Sequence, residues 1–214
     1  MNPSHPASAL PAGTPAFSRA RSLGFGAVVV LSLAIAGYAV VVYAFLPIGA
    51  LLHPAMRATY EAQRVAVYLH VFAALLALLI GPLQFSSRLR AARPRLHRRL
   101  GRIYLGGGVL VGGLAGLFMA FHAFGGPLAQ TGFGALALAW LWTGWMAWRA
   151  IRAGDRIAHR RWMLRNFALT FAAVTLRLWL PLALGTGIPF EAAYPVVAWL
   201  CWVPNLLVAQ RLAR

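Results

Sequence analysis

Four histidines and one arginine are the residues of this chain whose types and spacing could carry chemistry. His70 and His122 lie toward one end of two successive apolar segments, and His97 and His159 lie just before two others. If neighbouring segments run antiparallel, this gives one pair at each face of a membrane. Paired imidazoles on facing apolar helices can hold a haem iron, each with its second ring nitrogen on an acceptor. Arg177 stands inside the apolar run Thr175-Leu176-Arg177-Leu178-Trp179. A guanidinium at that depth costs at least ~2.5 kcal/mol on insertion scales, so it needs a partner, water or a bound anion. Glu191 is the one acid of the nearby loop and the candidate partner; Trp179 or Trp199 could add a cation–π contact. Asn166, Thr170 and Ala173 share the helical face of Arg177. A structural ion pair and a site for a propionate, phosphate or lipid head both stay open.

Depth separates the two histidine pairs. His97 and His122 are 25 residues apart. In a continuous helix that is about 37 Å at 1.5 Å per residue, more than the ~30 Å of a hydrocarbon core. His97 and His159 therefore belong among arginines at the water boundary. Hydrogen bonding beside lipid phosphates suits them better than a buried cofactor. His70 and His122 are the expected haem ligands, with Arg177 neutralising a propionate. A catalytic zinc site wants three protein ligands, and His70, His122 and Glu191 would be a thin set. His5 and His53 lie in a tail and a loop. No GxSxG, Walker or HExxH motif occurs.

The elements that must position these residues are membrane helices. Of 214 residues, 61% are hydrophobic, and the mean hydropathy is +0.70, beyond what a soluble domain carries. Six segments reach the ~20 residues that a span needs: Leu23–Phe45, Val65–Phe85, Ile103–Phe124, Thr131–Trp148, Phe167–Leu184 and Tyr194–Leu212. Pro47 and Pro54, Gly125-Gly126-Pro127, and Gly185-Thr186-Gly187 with Pro189 punctuate the breaks. Residues 1–20 are rich in Pro, Ser and Ala and read as a disordered cytosolic tail. The first apolar run is too long for a signal peptide. The single cysteine, Cys201, permits no disulfide within the chain.

All twenty basic residues are Arg, against three acids, for a formal net charge of +17. The arginines sit between apolar spans, which favours a membrane explanation over nucleic acid. The loop 86–102 has seven and the loop 149–166 has six. Arg90, His97, Arg98 and Arg99 are repeated 62 residues later by Arg152, His159, Arg160 and Arg161. Positively charged loops stay cytoplasmic, so both termini are expected inside a bacterial inner membrane. His97, Arg98, Arg99, Arg102, His159, Arg160, Arg161 and Arg165 then line the inner face. Each Arg beside an anionic leaflet contributes about 1 kcal/mol of attraction.

Two spans carry a small-residue face. His70, Ala73, Ala74, Ala77, Gly81 and Gln84 fall on one side of the second. Gly108, Gly112 and Gly116 form a small-xxx-small stripe on the third. If that helix is continuous, His97, Tyr104, Gly108, Ala115 and His122 share its face. Tight helix packing is the simple consequence; a slot for a flat macrocycle or an isoprenoid is the sharper one.

The segments Gly81-Pro82-Leu83-Gln84-Phe85, His97-Arg98-Arg99-Leu100-Gly101-Arg102-Ile103-Tyr104 and His159-Arg160-Arg161-Trp162-Met163-Leu164-Arg165, followed by Phe167 to Arg177, resemble a bacterial family. It comprises predicted membrane proteins catalogued only as a domain of unknown function. The resemblance covers about residues 65–185. It implies a polytopic inner-membrane protein with no established activity, whose polar positions here are His70, Gln84, His97, Arg102, His159, Arg165 and Arg177. Cytochrome b561-like haem proteins are similar in layout only. The expectation is thus an all-α bundle of six membrane helices over residues 23–212. Its leading function is a b-type haem redox protein, with a quinone as electron partner. One alternative is a non-enzymatic protein that binds or moves an anionic lipid or small anion; another is a structural or assembly subunit.

Overall fold

A computed structural model describes residues 15–214, with side chains from residue 23 onward. The first helix, α1 (Pro15–Val40), ends in a π-helical turn, Val41–Phe45. The rest of the expected tail, residues 1–14, lies outside the described residues. A short α2 (Pro54–Ala62) leads into α3 (Arg64–Gln84). After α4 (Ser87–Ala92) comes α5 (Pro94–Arg102), a π-helical stretch (Ile103–Leu110) and α6 (Val111–Ala120), three pieces of one unbroken helix. Then follow α7 (Gly126–Arg152), α8 (Arg156–Thr170), α9 (Ala172–Gly185), α10 (Phe190–Leu200) and α11 (Val203–Leu212).

Among the described residues, five stretches are long and apolar enough to cross a membrane: Leu23–Phe45, Arg64–Gln84, Pro94–Ala120, Arg156–Gly185 and Phe190–Leu212. Helix α7 is not among the five, although its 27 residues extend about 40 Å at 1.5 Å per residue. It packs on α6, α8 and α10 near the middle of the bundle. Gly125, at φ 92°, turns the chain into it from α6, a backbone region open to glycine at little cost.

The centre is a closed set of polar contacts in an apolar core. The Tyr104 hydroxyl donates to Asn166 Oδ1 at 2.7 Å and lies 2.9 Å from Thr170 Oγ1. Trp140 Nε1 donates to the same Thr170 oxygen at 2.9 Å. Asn166 Nδ2 donates to the Trp140 carbonyl and to Thr143 Oγ1, both at 2.8 Å. Tyr104 and Asn166 have no exposed surface. The contacts join the π-helical stretch to α7 and α8, and both hydrogens and the carbonyl oxygen of Asn166 are used. Such a group is tolerated in an apolar interior only when it is paired.

Around this centre the small residues let backbones approach. A Cβ on Gly108 would sit 2.8 Å from Ala77 Cβ, and one on Gly112 would sit 3.2 Å from Ala73 Cβ. A Cβ on Gly81 would fall 2.3 Å from the Phe167 ring, so α8 docks on α3 by inserting that ring. Asn166→Leu keeps the branched shape of the side chain but strands its hydrogen-bond partners. It should lower stability in mild detergent by about 1–3 kcal/mol, read as a fall in the thermal unfolding midpoint. An unchanged midpoint would show that the contacts are not holding the three helices together.

Candidate functional site

Arg177 projects from α9 near one end of the bundle, the end that carries α2. Its guanidinium donates to the Ala173 carbonyl one turn back, at 2.8 Å, and stacks over the Tyr38 ring of α1 at 5.4 Å. Its charge also acts on Tyr43 of the π-helical turn, Tyr60 of α2, Tyr194 of α10 and His70 of α3. No carboxylate lies within ion-pair distance of it. The expected partner Glu191 instead has Oε1 3.8 Å from His53 Nε2, the one ion-pair contact among the described residues. Glu191 sits in the first turn of α10, close to His53, which stacks flat on Phe190 at 4.2 Å. That stacking draws the acid away from α9.

Asn166 and Thr170, expected on the Arg177 face, belong to the central polar set instead. One residue, Phe171, separates α8 from α9, and the side-chain contacts of Asn166 and Thr170 go to Tyr104, Trp140 and Thr143 rather than to Arg177. Arg177 is surrounded by donors and aromatic faces. The hydroxyls of Tyr43, Tyr60 and Tyr194 make no hydrogen bond within the described residues. Burial pushes the Tyr60 phenol above its ordinary pKa of 10, with Tyr43 adding to the shift and Arg177 opposing it. At neutral pH it is therefore an uncharged donor.

His70 leans into the glycine stripe. Its Nδ1 is 2.8 Å from the Gly112 carbonyl, and a Cβ on Gly116 would strike the same nitrogen at 2.7 Å. His122 lies beyond the end of α6, exposed, with Nδ1 3.3 Å from the Phe118 carbonyl. Each imidazole is thus tied through Nδ1 to a backbone carbonyl. The π-helical Ile103–Leu110 changes the helical register between Tyr104 and His122, so the single face expected from His97 to His122 is not continuous.

At the opposite end the Arg-rich segments meet. His159 Nδ1 is 2.8 Å from the Ala147 carbonyl. His97 is close enough for His159, Arg90 and Arg98 to act on it electrostatically, and its Nδ1 is buried without a partner. Gln84, 7% exposed, has its Nε2 likewise buried and unpaired. Arg98, Arg99, Arg102, Arg160 and Arg161 are exposed. Arg161 donates to the Arg214 carbonyl at 2.8 Å, and Arg165 donates to Gln210 Oε1 at 2.7 Å while lying over the Trp162 ring.

Residues 67–213 match the model of a family described as predicted membrane protein, domain of unknown function DUF2306. The chain belongs to this family. No curated protein and no solved structure matches the chain. The matched residues include His70, His97, His122, His159 and Arg177 but begin after Tyr38, Tyr43 and Tyr60. The family core thus supplies the arginine, and α1, the π-helical turn after it and α2 supply three of its four tyrosines.

Sequence reasoning missed those tyrosines. No spacing rule links residues from four separate elements, and phenols read as ordinary interfacial aromatics. It also passed over His53, now seen stacked on Phe190. Because the folded Tyr60 phenol has a raised pKa, its contribution to stability is complete below the unfolded value of about 10 and is lost as pH rises above it. The wild-type protein should therefore unfold more readily from about pH 10 upward. Tyr60→Phe should flatten that alkaline loss, and equal pH profiles for the two proteins would sink the assignment.

Proposed function

We propose that this is a six-span protein of the bacterial inner membrane, with both termini cytoplasmic, that binds an anionic headgroup or small anion at Arg177. The observation that carries this reading is a guanidinium with no carboxylate partner, set over the Tyr38 ring and within electrostatic reach of the Tyr43, Tyr60 and Tyr194 phenols. A charge held in low dielectric without a counter-charge is costly. An oxygen-rich anion would supply that counter-charge and accept from the free phenols, and charge-assisted hydrogen bonds of this kind are the strong ones. Helix α7 would be the sixth span. Trp140, Trp142, Trp145 and Trp148, with its glycines and threonines, lower its apolar score without shortening it. The Arg-rich ends would then face the cytoplasm and attract anionic lipid. Outer-leaflet lipid would meet Arg177, and nothing in this reading requires a covalent step.

Native mass spectrometry from mild detergent tests it. The wild type should retain anionic phospholipid, and Arg177→Gln should retain about ten-fold less, the loss expected for one charge-assisted hydrogen bond. Equal retention in the two proteins would overturn the reading. Arg177→Lys, which keeps the charge but not the planar fork, should recover part of the binding.

A haem site at His70, His122 and Arg177 is a second reading, supported by one observation. Metal-bound histidines usually hold their other ring nitrogen on an acceptor. His70 and His122 both do so through Nδ1, which leaves Nε2 available as the ligand atom. Bound haem b would supply one-electron chemistry, with Arg177 against a propionate and a quinone as partner. Protein from haem-replete cells should then show a Soret band that shifts with dithionite and is lost in His70→Ala. A colourless preparation would eliminate this second reading and leave the anion reading intact.

A further inference from the structure

The end of the bundle opposite Arg177 holds a second polar arrangement that the Arg177 reading does not use. The central contacts fix its geometry. Tyr104 and Asn166 are 62 residues apart and hydrogen-bonded. His97 and His159 are also 62 residues apart, each seven residues before one of that pair. Seven residues are about two helical turns. The two histidines therefore stand at one level on corresponding faces of two parallel helices, α5 and α8. Gln84 reaches the same place from the end of α3. Its Oε1 would lie 3.2 Å from a Cβ on Gly101, and Gly101 is one turn beyond His97 on α5.

These side chains have spare capacity directed inward. Gln84 Nε2 and His97 Nδ1 are both buried without a hydrogen-bond partner. Gln84 is more than nine-tenths buried. An unpaired amide N–H₂ in a well-packed site costs stability and calls for an acceptor. His159 is oriented by the Ala147 carbonyl through Nδ1, so Nε2 is its free nitrogen. The charge around them has one sign. Arg90, Arg98, Arg99, Arg102 and Arg160 ring this end, and Asp155, its only acid, has Oδ1 accepting from the Ala158 N–H as the cap of α8. Buried donors under a positive rim select an acceptor that is also an anion.

We propose that Gln84, His97 and His159 form a phosphate-binding site, in which Gln84 Nε2 and His97 Nδ1 donate to the oxygens of a phosphate group. The phosphate is presented either as a lipid headgroup or as free inorganic phosphate. The site is separate from Arg177 and does not rest on that reading. It differs from a diffuse basic surface because its donors are uncharged, buried and at defined positions. The exposed arginines raise the local concentration of anions, and the buried donors hold one of them.

The test uses the full chain in nanodiscs of phosphatidylcholine, with or without phosphatidylglycerol, and in detergent with inorganic phosphate. With phosphatidylglycerol the wild type should be stabilised and should retain that lipid at 0.5 M salt, where surface attraction is screened. Gln84→Leu and His97→Ala should each lower retention about five-fold or more, one hydrogen bond's worth. Arg160→Gln should change retention only at low salt, and the losses caused by Gln84→Leu and His97→Ala should be of the same size in an Arg177→Gln background. Stabilisation by inorganic phosphate alone, lost in Gln84→Leu, would identify free phosphate as the ligand. Gln84→Leu that is more stable than wild type in every lipid, with retention unchanged, would overturn the proposal and mark the amide as an unpaired structural group. A Soret band abolished by His97→Ala would also overturn it, in favour of haem at this pair.

Discussion

The fold depends on one constraint, that polar groups buried in an apolar bundle must satisfy one another. Asn166 meets it by binding three partners on two other helical segments, and Thr170 by serving both Tyr104 and Trp140. A shift of α8 by one residue along its neighbours would rotate Asn166 by about 100° and leave at least four polar groups without partners. Apolar packing alone tolerates such sliding, because one leucine resembles the next. The hydrogen bonds do not, and they fix the register in which α5, α7 and α8 stand. The glycine and alanine faces then act as spacers that let α3 close on the set, with Phe167 filling the space above Gly81.

Once register is fixed, the two ends of the bundle acquire different chemistry. Beyond Phe171, Arg177 lies over Tyr38 of α1, and its charge acts on Tyr60 of α2 and Tyr194 of α10. It cannot share the central amide and hydroxyls, so it meets phenols and the Ala173 carbonyl instead. A second polar junction supports this arrangement. Asn205 Nδ2 donates to Thr175 Oγ1 and to the Cys201 carbonyl, both at 3.0 Å, and the Thr175 hydroxyl donates to that same carbonyl. That junction locks α9 to α11 two residues before Arg177. The guanidinium is therefore carried on a braced segment rather than on a loose one.

What the sequence could reveal follows from which interactions are periodic. Five of the apolar runs appear as helices long enough to cross a membrane, because hydropathy over some twenty residues needs no tertiary information. The glycine stripe was legible for the same reason, and Gly108 and Gly112 do face Ala77 and Ala73. The 62-residue repeat signalled more than loop topology: it is also the offset of the Tyr104–Asn166 bond. The partner of Arg177 was not legible. Assigning Glu191 by nearness in the chain ignored His53, whose ring stacks on Phe190 and holds the acid at the first turn of α10. The tyrosines around Arg177 come from four elements with no common spacing. Asn166 and Thr170 were placed on the Arg177 face, but their hydrogen bonds go to the central polar set, which no local spacing announces.

The acids complete the account. Glu191 is turned to His53, Asp155 caps α8, and Glu61 is exposed on α2. None of the three lies within ion-pair distance of an arginine, so no side-chain carboxylate neutralises an arginine among the described residues. Arg165 uses the amide of Gln210, which orients a guanidinium without cancelling its charge. Self-repulsion at a net charge of +17 opposes the compact state. The scarcity of acids and the unpaired donors at both ends are thus one feature: the positive charge of this chain meets almost no side-chain counter-charge among the described residues.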